Sequence, residues 1–452
     1  MSMTILQHSD TSVHHSFHKF SKLVHLSDIL RSANINKTKG VRVTALLEWL
    51  IAAVFNRYSI FRANKSKLFT TKTVRNCLNN PHTNWQRLVQ LLAINLISYV
   101  EHFTDSRRRQ ALIIDDSLFK REFSKNTELL ARVFDHDKQK FFKGFRTLTV
   151  GWSDGNTFLP IDFALMSSSK KKNQLGVFKR FDKRSLAYKR RDQAKRKMND
   201  VALELVDSAV KSGIKAKYVL FDSWYSSPHM FSELLKRGLF AVGMLKKTKK
   251  VYFRYRGRTM DVKTLYDILC RTKWSTKEKY LYSSMVTFNV DGQEMPVKLV
   301  FVTKHGDKNN YLVLGTTKTS LEPTDIIQLY ARRWQIEGYF KVAKQYLQFD
   351  KTQIQKYDGL CGHLAIVALA YDILALNQRE YIDDRTIGDI FYDYGRSLPD
   401  ITFVDALDLL ITSINGLVNN LETDPSVLNQ IFDEFIKALP SGLIRQLDNA
   451  SH

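Results

Sequence analysis

Cysteine is scarce in this chain: Cys77, Cys270 and Cys361 are the only three in 452 residues. They form no Cys-x-x-Cys pair and no Cys/His cluster at zinc spacing, which excludes a disulfide-stapled domain and a structural zinc module. They read as reduced thiols of an intracellular protein, each a small core side chain. Long apolar runs are missing as well. The N-terminal MSMTILQHSDTSVHHSFHKF holds no apolar stretch of signal-peptide length, and the most apolar run, Leu364 to Leu376, is interrupted by Asp372 and too short to span a bilayer. These absences predict a cytoplasmic protein with no membrane partner. Acids are the third shortage, with 45 Asp and Glu against 69 Lys and Arg, a net charge of +24 and a pI of about 9.7. That balance points to a polyanionic partner, nucleic acid first, and to association with the nucleoid.

What is present is organised unevenly. A hydrophobic share of 44% suits a folded globular protein with a large core. Residues 381–452 carry 4 basic and 12 acidic residues, a net of −8, which leaves +32 on residues 1–380. The last 72 residues read as an acidic helical region, with ITFVDALDLLITSINGLV as its clearest amphipathic stretch; the DNA-facing surface is expected elsewhere. Residues 1–104 read as helical from the apolar spacing of VTALLEWLIAAVF and WQRLVQLLAINLISYV, either a DNA-reading module or a scaffold that packs on the next domain. No helix-turn-helix signature and no internal repeat stands out.

From Arg109 the period changes. RQALIIDDS is a short isoleucine-rich run ending in carboxylates, a buried strand that delivers Asp115 and Asp116 at its C-terminal end. Two alternating runs, Phe145 to Ser153 and Thr157 to Leu165, are joined by Asp154-Gly155-Asn156 and predict a hairpin. Residues 170–197 hold 13 Lys or Arg in 28 positions, interleaved with Phe178, Phe181 and Tyr188, either a solvated linker or a strip that tracks a phosphate backbone. KYVLFDSWYSS repeats the first device, a strand ending in Asp222, and a helix and strand come after it. Residues 246–320 read as a β-rich stretch with basic clusters.

A helical run over Leu329 to Gln345 would place Tyr330, Glu337 and Lys344 within about 40° of one another, with Arg333 and Lys341 one turn before and after the glutamate. A paired, solvated face is the bland reading of such a stripe. Trp334, Ile336, Tyr339, Phe340 and Val342 offer apolar packing around it, so a carboxylate kept among cations suggests a site for phosphates and metal. Asp115 or Asp116, Asp222 and Glu337 would converge at one edge of a sheet. Three acids without His or Cys suit Mg²⁺ or Mn²⁺, and two such ions activate a hydroxyl and stabilise a leaving oxygen in displacement at a phosphodiester.

Tyr330-x2-Arg333-x3-Glu337-x6-Lys344, with IIDDS and LFDSWYSS before it, resembles the signature of the DDE transposases of insertion sequence family four. The resemblance covers residues 105–350. It implies an α/β protein with an RNase H-like catalytic core in two parts, 105–245 and 321–380, split by a β-rich insertion at 246–320 and flanked by helical regions at 1–104 and 381–452. It implies a cut-and-paste transposase acting on its element's inverted repeats and on target DNA, with a hairpin at the cut end in many members. Asp115, Asp222 and Glu337 would be the catalytic, metal-binding triad, with Asp116 the alternative to Asp115. Neighbouring strand residues face opposite ways, so one of the two enters the site, and the family's Asp-x-Ser/Thr pattern favours Asp115. Tyr330, Arg333 and Lys344 would hold phosphates beside Lys341, and Trp274 is the candidate for a base-stacking aromatic in the insertion. Pairing two ends calls for a homodimer. A stand-alone RNase H-like nuclease or resolvase, and a catalytically inactive basic DNA-binding protein, are the other readings.

Overall fold

The computed structural model describes residues 5–380 apart from 38, 61–62, 64–68, 106, 136–137, 249–250, 273–281 and 304–309. From Lys19 on, the described residues form one compact unit; Trp274 and the acidic C-terminal region lie outside the described residues. The chain opens with helices α1 (Ile5–Leu23), α2 (Leu26–Ser32), α3 (Val43–Phe55), α4 (Thr71–Leu78) and α5 (Trp85–Glu101). The two apolar periodicities read in the sequence are α3 and α5. Asn84 caps α5 by accepting the Arg87 N–H at 3.0 Å, and Trp85, Leu88, Leu92 and Leu96 are buried at helical spacing.

Strands β1 (Ala111–Lys120), β2 (Ala131–Asp135), β3 (Lys140–Ser153) and β4 (Phe158–Met166) succeed them, then helices α6 (Leu186–Gln193) and α7 (Met198–Lys211). Next come β5 (Tyr218–Phe221), α8 (Pro228–Lys236) and β6 (Phe240–Met244). The later part holds β7 (Tyr252–Tyr255), β8 (Arg258–Asp261), α9 (Val262–Thr272), β9 (Tyr282–Val290), β10 (Gln293–Thr303) and β11 (Tyr311–Thr316), then α10 (Pro323–Ala331), α11 (Trp334–Gln345) and α12 (Tyr357–Glu380).

All eleven strands join one mixed sheet in the order β2-β3-β1-β5-β6-β11-β10-β9-β7-β8, with β4 on β3. β1, β5 and β6 are parallel; β3 runs antiparallel to β1 and to β4, and β11 antiparallel to β6. The β-rich stretch after β6 therefore extends the sheet that carries the aspartates. The β3–β4 turn is the Asp154-Gly155-Asn156 hairpin, with Gly155 at φ +101°. Asp154, fully buried, accepts from the backbone of Asn156 and Thr157 at 2.8 Å and from the Thr104 hydroxyl at 2.7 Å.

α12 packs against α3, α4, α5 and α11. At 24 residues it is longer than the run read from the sequence, and by length and composition it could cross a bilayer, yet its apolar stretch is buried as that of a core helix. Gly359 and Gly362 let its neighbours close in: a Cβ at these positions would lie 2.2 Å from Asn79 Oδ1 and 2.9 Å from the Trp85 ring. At its start Asp358 accepts from Arg191, on α6, at 2.6 and 2.9 Å, and the same guanidinium donates to Glu128 at 2.8 and 3.0 Å. All three residues are buried. The basic strip is thus partly internal: Arg190 and Arg191 belong to the core, and Lys195 and Arg191 cover the rings of Phe178 and Phe181 at 3.9 and 4.3 Å. Those aromatics pin the strip to the fold through its own cations.

Candidate active site

The parallel register of β1 and β5 ends at the pair Ile114 and Phe221, and the next residues on the two strands are Asp115 and Asp222. Adjacent strands are about 4.8 Å apart, so the two acids start from neighbouring backbone positions. β1 does not stop there, contrary to the expectation of a strand ending in acids. Its antiparallel pairing with β3 continues to Lys120 and Gly144, which leaves Asp115 and Asp116 in mid-strand with their side chains on opposite faces.

The two faces differ in chemistry. The Asp116 carboxylate is nearly sealed from solvent, ion-paired with Arg146 of β3 and accepting the Tyr225 hydroxyl at 2.8 Å. Asp115 faces the helical side, where Oδ1 accepts the Asp116 backbone N–H at 2.8 Å and Oδ2 lies 3.3 Å from Arg333 Nη1. Arg333 Nη2 is in turn 2.6 Å from Glu337 Oε1. One guanidinium therefore joins the strand acid to the helix acid. Asp222 holds its own turn by accepting the Trp224 N–H at 2.8 Å.

Burial pushes the Asp115 carboxyl up to about 7, and the negative charges of Asp116 and Asp222 push the same way against the opposing pull of Arg333. Burial likewise raises the Tyr330 hydroxyl to about 12, with Arg333 opposing and Asp222 adding to it. Burial leads both shifts, the neighbouring carboxylates add to them and Arg333 opposes them.

Leu329 to Gln345 is two helices, not the single helical run expected. α10 ends at Ala331 and α11 begins at Trp334. Between them Arg332, Arg333, Gln335 and Ile336 donate to carbonyls three residues back, at 2.9 to 3.2 Å, a tightened 3-10 turn. The turn keeps αR dihedrals, so Arg333 and Glu337 still pair at i,i+4. Tyr339, Phe340 and Ile336 are buried as expected, whereas Trp334 is 62% exposed, with the Arg333 guanidinium 5.1 Å from its ring.

Around this centre the other sequence candidates are placed less tightly. Tyr330 is buried 5.7 Å from the Arg333 guanidinium. Lys344 is half-buried on α11, its ammonium pKa lowered by burial, with Asp350, Arg146 and Lys120 among the charges acting on it. Lys341 is exposed on the same helix. Sequence reasoning missed Arg146 and Tyr225, which secure Asp116, and Trp224, 45% exposed beside Asp222 with Lys246 4.8 Å from its ring. Tyr225 and Trp224 stand within the LFDSWYSS motif, the one signal that could have drawn attention to them.

Among the described residues no three acidic, His or Cys side chains are closed up as a ready metal cage; Arg333 stands between Asp115 and Glu337. The donor set nevertheless fits a hard divalent cation. It is made of carboxylate oxygens, and like-charge crowding raises Asp115. Among the described residues the buried Arg333 Nε has no hydrogen-bond partner beside it, which leaves polar capacity for an incoming anion.

Two family models match the chain. Residues 69–265, which include Asp115 and Asp222, match the DDE superfamily endonuclease model. Residues 179–362, which include Asp222 and Glu337, match the model described as transposase IS4. No curated protein matches the chain significantly. DDE enzymes as a family act on DNA with divalent metal ions. Over residues 69–265 the chain is thus similar to DDE-superfamily endonucleases and over residues 179–362 to the IS4 transposase domain, each match spanning less than half of its 452 residues.

Proposed function

We propose that the protein is the transposase of an insertion sequence, which cuts at the inverted ends of its element and transfers the freed 3′-hydroxyl to target DNA. The observation that carries this reading is the single guanidinium of Arg333 bonded to both Asp115 and Glu337, with Asp222 beside Asp115 at the parallel edge. The strand order β4-β3-β1-β5-β6, antiparallel and then parallel, supports an RNase H-like core around those acids. The family models span the two aspartates and the glutamate between them.

Asp115, Asp222 and Glu337 would hold Mg²⁺ or Mn²⁺, with two ions the arrangement suited to this chemistry. When bound, the ions supply the Lewis acidity that activates a hydroxyl and stabilises the leaving oxygen. The protein's own side chains position the DNA. Arg333 carries five N–H donors in a planar fork and can exchange carboxylate oxygens for phosphate oxygens. The buried Tyr330 hydroxyl adds a donor beside it. Lys344 and the exposed Lys341 extend the positive face along α11. Asp116 is a positioning residue, since its bonds to Arg146 and Tyr225 hold the strand that presents Asp115. A homodimer is the smallest assembly that brings two ends together, and the helical N-terminal region would add DNA contacts.

The test is a joining assay with the purified protein, Mg²⁺, duplexes carrying the element's terminal repeats and a supercoiled target. Cleaved ends covalently joined to the target are the expected products. Cleavage without joining would make the protein a nuclease or resolvase, and binding without cleavage an inactive DNA-binding protein.

A further inference from the structure

A groove of 1250 Å³ opens away from the acid cluster, between α3 and α4 on one side and the turns at residues 120–126 and 348–356 on the other. Its lining holds seven Lys and Arg against two acids. Lys125, Lys351 and Lys356 are exposed on its rim. The 120–126 turn is held in place: Arg121 donates to the carbonyls of Thr352 and, at 2.8 Å, Ile354, and the Ser124 N–H donates to the Arg121 carbonyl at 3.0 Å. It presents Phe123 with 98% of its surface in solvent. An aromatic ring on an anchored turn among cations has no packing role in the described unit.

One lining residue ties the groove to the candidate active site. Lys120 ends the strand that carries Asp115, five residues earlier, and its charge acts on Lys344. Five strand residues span about 16 Å, the length of about five base pairs at 3.4 Å each.

We propose that this groove seats the backbone of duplex DNA about half a helical turn from the cleaved phosphate, with Phe123 lying against the base edges as an apolar wedge. The occupant is set by charge complementarity: a lining this basic, on the same strand as an acid cluster read as acting on phosphodiesters, fits a continuing phosphate chain. The inference rests on the transposase reading and adds a second DNA contact to it.

The experiment measures the salt dependence of binding by the full chain to a duplex of about three helical turns bearing the terminal repeat. Combined Lys125→Ala, Lys351→Ala and Lys356→Ala substitution is expected to flatten the slope of log K against log salt by about 0.9 per phosphate contact, about 2.7 in all. The corresponding arginine variant should keep the wild-type slope, and Phe123→Ser should lower affinity several-fold with the slope unchanged. An unchanged slope in the alanine variant, with wild-type cleavage intact, overturns the groove and leaves the transposase reading standing. If the wild-type chain binds no duplex at all, both fall.

Discussion

Asp115→Asn is expected to abolish cleavage of end-bearing DNA and, in metal-free buffer at pH 8, to raise the melting temperature. Asp116→Asn is expected to lower the melting temperature and to leave measurable cleavage at low temperature. The two aspartates are adjacent in sequence but do different work. Asp115 is a buried acid pushed up to about 7 from the ordinary 3.8 by burial and by the charges of Asp116 and Asp222. Between those pH values the folded chain keeps a proton that the unfolded chain has released. Asp115's contribution to metal-free stability is therefore greatest below about pH 4, falls as pH rises towards 7 and levels off above it. The charged form costs about 4 kcal/mol once fully developed. Asparagine removes that cost at pH 8 and makes little difference at pH 4, so the difference in pH slope between wild type and variant reports the group. Asp116 answers Arg146 and Tyr225, and weakening those charge-assisted bonds costs about 2 kcal/mol. If Asp116→Asn stopped cleavage with no loss of stability while Asp115→Asn cleaved normally, the assignment of the two would be reversed.

Glu128→Ala is expected to have the largest effect on stability away from the site. Glu128 accepts two bonds from Arg191 and, at 3.0 Å, the Tyr357 N–H at the start of α12. Arg191 is 1% exposed, so its removal from Glu128 leaves a buried guanidinium balanced by Asp358 alone. Breaking a buried pair from one side costs about 3–5 kcal/mol. The urea midpoint should drop accordingly with the slope unchanged, whereas Asp105→Ala, at the solvent-exposed pair with Arg107, should leave the midpoint where it is. A change of under about 1 kcal/mol at Glu128 would mean that the α6–α12 junction is held by packing alone.

Local pattern made much of the architecture legible. α3 and α5 follow from apolar spacing, the β3–β4 hairpin from Asp-Gly-Asn, and β5 from a short apolar run before Asp222. The features that escaped depend on partners distant in the chain. β1 runs past its acids because β3, some 30 residues later, keeps pairing with it, and Asp116 is claimed by Arg146 and by Tyr225, 109 residues away. The break at Arg332 and Arg333 carries no proline or glycine, so periodicity read straight through it. The short strands β7 and β8 and the segment β2 gain their conformation from sheet neighbours rather than from composition. In the basic strip, charge alone could not separate the exposed lysines from Arg190 and Arg191, which the core has taken in. The stripe of Tyr330, Arg333 and Glu337 was visible, but the bond from Arg333 to a strand 218 residues earlier was not.

The central claim is that Asp222 and Glu337, one at the end of β5 and one on α11, act in the same phosphodiester chemistry. The most direct test is Mg²⁺-dependent cleavage of a terminal-repeat duplex by the wild-type protein, Asp222→Ala and Glu337→Ala, with binding to the same duplex measured in parallel. Both variants are expected to bind the duplex and neither to cut it. Full cleavage by either one would contradict it.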